Sequence, residues 1–160
     1  MLELKDVSVV FNEGTVNEKV ALNNINLALD KGDFVTIIGS NGAGKSTLFQ
    51  AISGAVDTKR GNIILNGRDI TFEPEYKRSK GIGRLFQDPL KGTAPNMTIE
   101  ENLHLSNQRG KHFSLSLMSH RHREEFKKAL MELELGLEER LDSKVGLLSG
   151  GQRQALTLLM

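Results

Sequence analysis

The chain has 160 residues, 38% of them hydrophobic and 26% charged, and its 21 basic and 20 acidic side chains leave a formal net charge of +1. That length suffices for one domain with a packed core. The near-equal numbers of basic and acidic side chains give no electrostatic basis for a nucleic-acid partner. The absence of cysteine excludes disulfides and thiolate metal sites. Neither a signal peptide nor the roughly 18–20 unbroken apolar residues of a membrane span can be found, so we expect any work at a membrane to need a spanning partner.

The N-terminal part is dominated by predicted β structure. Residues 2–11 and 21–29 alternate between apolar and polar side chains, which predicts two half-buried strands joined through a turn at residues 12–17. Residues 34–38, FVTII, are β-branched and almost entirely apolar. Such a run is typical of a strand buried on both faces of a parallel sheet, so we predict a third strand there.

The middle of the chain alternates between helix and strand patterns. A helix is predicted over residues 45–53, where apolar residues recur at helical spacing. A short strand follows at residues 62–65, and Asn66–Gly67 has the composition of a hairpin turn. A further strand is predicted at residues 82–86.

From about residue 98 the pattern becomes helical. Thr98 and Glu101 fit the capping box T-x-x-E. Residues 121–137 carry apolar side chains at helical spacing among charged ones, which predicts an amphipathic helix. The intervening residues 106–119 are predicted to be irregular. The histidines have no metal-site pattern around them and are predicted to be exposed polar residues: His104, His112, His120 and His122.

A glycine-rich loop, GSNGAGKST, lies between a predicted strand and a predicted helix and matches G-x-x-x-x-G-K-[ST] at every defined position. Glycines let consecutive backbone N–H groups curl around phosphate oxygens, and the start of a helix adds its positive end. A plain glycine-rich turn is the alternative, but it needs neither three glycines nor a following Lys-Ser. The predicted ATP-binding residues of the loop are Gly39, Ser40, Asn41, Gly42, Ala43, Gly44, Lys45, Ser46 and Thr47. Lys45 is expected to contact the β- and γ-phosphates and to be catalytic, and Ser46 to place its hydroxyl on Mg²⁺.

A second motif, LSGGQ, consists of Leu148, Ser149, Gly150, Gly151 and Gln152. Ser149 is predicted to cap a helix, and the two glycines would let the backbone approach an anion. A helix start behind a flexible turn is the alternative interpretation. With the phosphate loop ahead of it in the chain, the motif resembles the signature of ATP-binding subunits of ABC transporters. In that family the signature binds the γ-phosphate of an ATP molecule held by the opposite subunit.

Two further positions acquire a role from this resemblance. Gln87 is similar to the family's Q-loop glutamine, which implies a catalytic contribution and a contact with Mg²⁺ and the attacking water; a polar turn residue is the alternative. Phe11 lies where the family carries an aromatic ring that stacks on adenine, often a tyrosine, and a core phenylalanine is a serious alternative.

The resemblance implies an α/β fold, with a P-loop NTPase core, an N-terminal antiparallel β part and an inserted α-helical subdomain. The expected divisions are a β-rich and P-loop part at residues 1–97, a helical subdomain at 98–148 and the signature helix at 149–160. In the family an acidic pair that completes the site follows the signature, whereas this chain ends at Met160. We therefore expect the domain to be C-terminally incomplete, and the 160 residues alone to bind ATP weakly or not at all and not to hydrolyse it.

The implied function is that of an ATPase subunit, with ATP and Mg²⁺ as ligands, that drives solute transport. Its implied partners are separate transmembrane permease subunits and a second copy of itself or a homologous ATPase. It would lie in the cytoplasm against the inner face of the membrane, and a separately encoded subunit of this kind favours a bacterial importer, with amino acids or related small solutes as a weak indication. A soluble ABC-type ATPase of translation or DNA repair and a non-catalytic fragment are the alternatives.

Overall fold

The computed structural model describes residues 1–108 and 120–160. The chain divides into two compact units, Met1–Ile82 and Gly83–Met160, which are described separately. In the described part, no helix is both long and apolar enough to cross a membrane. The division predicted from the sequence at residues 97 and 148 remains a prediction.

The first unit is built on a four-stranded antiparallel sheet with the strand order β2-β1-β3-β4. Its strands are β1 (Leu2–Phe11), β2 (Lys19–Leu29), β3 (Arg60–Leu65) and β4 (Arg68–Asp69). The predicted α/β class with an antiparallel β part is therefore confirmed. At the hairpin between β3 and β4, Asn66 and Gly67 both have positive φ, 51° and 80°, as the predicted two-residue turn requires.

One face of this sheet packs against helix α1 (Lys45–Ser53), whose bounds agree with the sequence prediction. Apolar side chains on one face of the strands are buried, and they pack against the apolar side chains of the helix. The buried cluster consists of Leu4, Val7, Val9, Leu22, Leu48, Ala51, Ile63 and Ile70. Burial of such side chains contributes about 1.5–3 kcal/mol each, so the sheet and α1 stabilise each other.

Two predicted strands are not observed. Residues 34–38 and 82–86 have no regular secondary structure, and the side chains of Phe34 and Ile38 are 95% and 91% exposed. A strand exists only where a neighbouring strand pairs with its backbone, and the described part of the chain offers these segments no such partner. Their apolar composition was thus not sufficient to form a strand or to bury these side chains.

A buried arginine ties α1 to the segment that follows the sheet. Arg78, at the end of the short helix α2 (Glu75–Arg78), is only 3% exposed. Its Nη1 donates to the carbonyl oxygens of Ala51 (2.7 Å) and Ile52 (3.1 Å) at the end of α1. Its Nη2 and Nε donate to the carbonyls of Thr71 (2.6 Å) and Glu73 (2.7 Å). Burial lowers the pKa of the guanidinium, from an ordinary value so high that the group stays charged.

Replacing Arg78 by methionine is expected to lower the free energy of unfolding by about 2–4 kcal/mol, because it leaves several buried carbonyl groups without donors. The measurement is urea denaturation of Arg78→Met beside Lys77→Met, which removes the neighbouring exposed lysine. An equal loss of unfolding free energy in both variants would contradict the stabilising role of the Arg78 hydrogen bonds.

The second unit is helical. It contains α3 (Ile99–Asn107), α4 (His120–Met131) and α5 (Gly150–Leu159), with 3₁₀ turns at Pro89–Gly92 and Val145–Leu147. These elements enclose one buried apolar cluster, formed by Ile99, Leu103, Phe126, Leu130, Leu137, Leu141, Val145, Leu148 and Leu156. The predicted capping box of α3 is present, since Thr98 Oγ1 accepts from the Glu101 N–H and the Glu101 carboxylate accepts from the Thr98 N–H.

Other predictions for this unit need correction. The helix expected to reach Leu137 ends at Met131, because Glu134 and Gly136 take left-handed φ values of 53° and 67°. His104 and His122 are half-buried rather than exposed, with their rings 5.9 Å apart. Of the segment 106–119, residues 106 and 107 belong to α3, while residues 109–119, His112 among them, lie outside the described residues.

An ion-pair network links three segments of the helical unit. Arg123 on α4 donates to the buried carboxylate of Glu100 on α3 and to Asp142, with 2.7 Å between Nη2 and Oδ2 of Asp142. The hydrogen bond from the Arg123 guanidinium holds the pKa of the Asp142 carboxyl below its ordinary value. The carboxylate form is therefore favoured by folding.

This pKa shift predicts an acid-dependent loss of stability. Because the carboxyl pKa is lowered in the folded state, its contribution is complete above the unfolded value of about 3.9 and is lost as the pH falls through the folded value. Asp142→Asn should therefore be less stable than the wild type at pH 7, and its stability should fall less between about pH 4 and pH 2. Urea denaturation across this range tests it, with Glu139→Gln as the control; the same acid dependence in both variants would refute the linkage.

Candidate functional site

The glycine-rich loop Gly39–Thr47 runs directly into α1. Gly44 is the residue before the helix and has φ 87°. A Cβ added there would lie 2.6 Å from the backbone oxygen of Ala21 and 3.1 Å from the Leu22 side chain, so only glycine permits the loop to rest this closely on β2. The position of the loop is therefore fixed by the sheet beneath it.

The N-terminus of α1 differs from those of α3 and α5 in the second unit. Among the described residues no side chain caps α1, whereas α3 and α5 each begin with a complete capping box. The first N–H groups of a helix have no acceptor within it, and together with the helix dipole they attract an anion. Most of the loop residues ahead of α1 are exposed, so this end of the helix is open to a ligand.

Lys45 closes the loop from the inside. Its Nζ donates to the carbonyl oxygens of Gly39 (2.6 Å) and Ser40 (2.7 Å). The positive charge is thus held within the curve of the loop, at the beginning of α1. A chain of phosphates lying along the loop would exchange these neutral acceptors for charged ones, and charge-assisted hydrogen bonds are roughly twice as strong.

Three predicted site residues lie outside the interior of the loop. Ser46 is exposed in the first turn of α1. Phe11 is half-buried at the end of β1 and packs against the apolar cluster of the sheet, which leaves open both stacking on adenine and a core role. Gln87 belongs to the second unit, where it is exposed just before the Pro89–Gly92 turn.

The donor set around the loop suits magnesium. Mg²⁺ takes oxygen ligands and is bound by one or two protein groups together with phosphate oxygens and waters, and Ser46 offers an accessible hydroxyl beside Lys45. Among residues 1–108 and 120–160, no group of three histidine, aspartate or glutamate side chains could hold a metal by itself.

The signature residues form the beginning of α5 in the second unit. Ser149 Oγ accepts from the Gln152 N–H at 3.2 Å, and the Gln152 amide oxygen accepts from the Ser149 N–H at 3.1 Å. This capping box confirms the predicted helix start. Leu148 is buried and anchors the turn, while Gly150 and Gly151 are exposed, and a Cβ added at either would meet open space.

Sequence reasoning missed three polar residues that organise these two segments: Arg78 behind α1, and Asn102 and Arg153 in the helical unit. Arg78 donates to a backbone carbonyl 27 residues away, whereas Asn102 and Arg153 bond backbone groups eight and five residues away. None of these spacings belongs to a recognised sequence motif, so the partners become visible only in the folded chain.

The sequence matches the model of the ABC transporter family over residues 22–160. The architecture and the loop define the class as a P-loop nucleotide-binding protein. The match covers most of the chain, and the chain therefore belongs to the ABC transporter family.

Curated relatives are ATP-binding subunits of transport systems. The chain is 41% identical over 160 residues to a tyrosine transport ATP-binding protein of Clostridioides difficile, and the alignment covers 100% of this chain and 64% of that relative. It is 35% identical over 159 residues to the xylose/arabinose import ATP-binding protein XylG of Sulfolobus acidocaldarius, and this alignment covers 99% of this chain and 59% of the relative. The chain thus spans less than two thirds of the length of either protein.

Solved structures agree in fold. A dimeric post-hydrolysis state of the ATP-binding cassette MJ0796 bound to ADP and Pi matches with a TM-score of 0.81 and 27% identity, over 99% of this chain and 68% of that one. A second dimeric structure of MJ0796, a bacterial ABC transporter cassette, matches with the same TM-score and 28% identity, over the same shares of the two chains.

Proposed function

We propose that this protein is the ATP-hydrolysing subunit of an ABC importer, and that it couples ATP binding and hydrolysis to solute transport by separate permease subunits. The observation that carries the proposal is the helix α1, which begins without a side-chain cap directly behind an exposed glycine-rich loop with Lys45 folded into it. The signature at the start of α5 and the membership of the ABC transporter family support the same function.

Nucleotide binding would use this chain as follows. The backbone N–H groups of Gly42–Thr47 donate to phosphate oxygens, and Lys45 turns from the Gly39 and Ser40 carbonyls to the β- and γ-phosphates. Ser46 and Gln87 are the proposed protein ligands of Mg²⁺, which when bound neutralises charge that develops on the phosphates. Gln87 would also orient the attacking water through its amide.

The ATP site would be completed by a second copy of the chain. Ser149–Gln152 of that copy would meet the γ-phosphate through the exposed backbone of Gly150 and Gly151. Dimeric structures of a related cassette, one of them holding ADP and Pi, support this arrangement. Two chains packed head-to-tail would then enclose two nucleotides.

The transported solute is proposed from the relatives. A tyrosine transport ATP-binding protein at 41% identity favours an amino acid or a similar small solute, and other relatives are named as import subunits. Import would place the protein on the cytoplasmic side of the membrane, against permease subunits that recognise the solute. No nucleic-acid partner is proposed, since the net charge is +1.

Mixed dimers test the composite site. Lys45→Ala removes the phosphate-loop lysine, and Ser149→Arg places a large cation in the signature turn, so that neither variant alone should hydrolyse ATP. When the two intact proteins are mixed, half of the dimers are expected to combine a wild-type loop with a wild-type signature at one of the two sites. The measurement is ATP turnover by the transport complex against the ratio of the two variants.

The expected result is activity that rises from near zero and peaks at equal amounts of the two variants. A pair of variants matched in the same segment, Lys45→Ala mixed with Gly44→Ala, serves as the control, because both lesions lie in the loop and no mixture restores it. Equal inactivity of both mixtures would overturn the proposed composite site.

A further inference from the structure

The turn at residues 145–148, just ahead of the signature, is hydrogen-bonded on two sides. On one side its N–H groups face the segment 94–97. The Val145 N–H donates to the Met97 carbonyl at 3.0 Å, and the Gly146 N–H donates to the Pro95 carbonyl at 2.8 Å. The turn is thereby fixed to a segment some fifty residues earlier in the chain.

On the other side the carbonyl groups of the same turn face Arg153 on α5. Arg153 Nη2 donates to the carbonyls of Leu148 (2.9 Å) and Gly146 (3.2 Å), and Nε donates to that of Val145 (3.3 Å). Arg153 directly follows the last signature residue. Its guanidinium therefore attaches the signature helix to the whole turn at once, which a planar fork with several donors can do and a lysine cannot.

The segment 94–97 is itself firmly held. The Ala94 N–H donates to the side-chain oxygen of Asn102 at 2.8 Å, and the Asn102 amide nitrogen donates back to the Ala94 carbonyl at 3.1 Å. Asn102 is 1% exposed. The contact with the turn is also tight, because a Cβ added to Gly146 would lie 2.9 Å from the Pro95 oxygen. Neither side of the contact can slide without moving the other.

We propose that Arg153 is a positioning residue that joins the signature motif to the segment 94–97 through the 145–148 turn. This inference rests on the proposed function, in which Ser149–Gln152 meets the γ-phosphate of an ATP molecule held by a second copy of the chain. Arg153 holds the start of α5 on the turn, and the turn is held on residues 94–97. The exposed backbone of Gly150 and Gly151 thereby keeps one position for the phosphate.

Amide hydrogen exchange tests the connection in the protein by itself. In Arg153→Met the Val145 and Gly146 amides, which donate to residues 97 and 95, should exchange about tenfold faster or more, because the turn loses three donors on its other side. Arg140→Met, which removes an exposed arginine of the same unit, should leave them unchanged, and Arg153→Lys should give an intermediate rate. Wild-type exchange at both amides in Arg153→Met would overturn the inference.

ATP turnover by the transport complex tests the consequence. Gly146→Ala forces the turn away from Pro95, whereas Gly83→Ala adds a methyl group in open space. Gly146→Ala and Arg153→Met should keep the wild-type affinity for ATP but lower the turnover at saturating ATP about tenfold, while Gly83→Ala leaves it unchanged. Wild-type turnover in both variants would overturn the inference.

The two experiments separate this inference from the proposed function. If the wild-type protein neither binds nor hydrolyses ATP, the proposed function is wrong, and the exchange rates still decide whether Arg153 holds the turn. If the wild type hydrolyses ATP and the exchange rates of Arg153→Met are normal, the proposed function stands and the connection does not exist.

Discussion

Lys45→Ala is expected to lower ATP hydrolysis by the intact protein about 100- to 1,000-fold, the loss typical when one preorganised donor to the developing charge is removed. The physical reason is the position of the ammonium group. It lies within the loop, 2.6 and 2.7 Å from two carbonyl oxygens, and phosphate oxygens are stronger acceptors than either. Removing it leaves the backbone donors in place but takes away the charge proposed to meet the β- and γ-phosphates.

The effect should be confined to nucleotide chemistry. The bonds that Lys45 makes are exposed, and such bonds contribute little to stability, so the unfolding midpoint in urea should hardly change. Turnover is measured at saturating ATP and ATP affinity by calorimetry, with Lys80→Ala, an exposed lysine of the same unit, as the control. Turnover of Lys45→Ala within a factor of three of the wild type would exclude the assigned role.

The elements that could be predicted from the sequence are those whose cause is local. Alternation in residues 2–11 and 21–29 gave strands because one face of an antiparallel sheet is buried. The capping box at Thr98 and the helix cap at Ser149 were recognisable because donor and acceptor lie three residues apart. The phosphate loop was recognisable for the same reason, since its glycines, lysine and serine lie within nine consecutive residues.

The elements that failed depend on a distant partner. Residues 34–38 have a composition suited to a buried strand, but composition does not supply a pairing partner, and the described sheet consists of four other strands. The early end of α4 was missed because the apolar spacing continues through Leu133 and Leu137, although the helix ends at Met131 and Glu134 has a left-handed φ of 53°. Leu137 is buried all the same, so the periodicity predicted burial correctly and conformation incorrectly.

Among substitutions that add one methyl group to the phosphate loop, Gly44→Ala is expected to lower the affinity for ATP the most. Any side chain at φ 87° costs about 1–2 kcal/mol, and here the added Cβ would also lie 2.6 Å from the Ala21 carbonyl oxygen. That neighbour is backbone of β2 and cannot rotate away, so the loop must lift from the sheet. A displacement of about 1 Å is enough to cost roughly 100-fold in a site that depends on aligned donors, and we expect a loss of that size in ATP affinity.

Gly14→Ala separates the two causes. Gly14 has φ 74°, close to that of Gly44, but a Cβ added to it meets nothing within 4 Å. Both variants therefore bear the backbone cost, and only Gly44→Ala bears the clash with β2. Urea denaturation and calorimetric titration with ATP should show a modest loss of stability in both and a loss of affinity in Gly44→Ala alone. Equal ATP affinities in the two variants would mean that the contact with Ala21 does not fix the loop, and that the loop owes its shape to its own glycines.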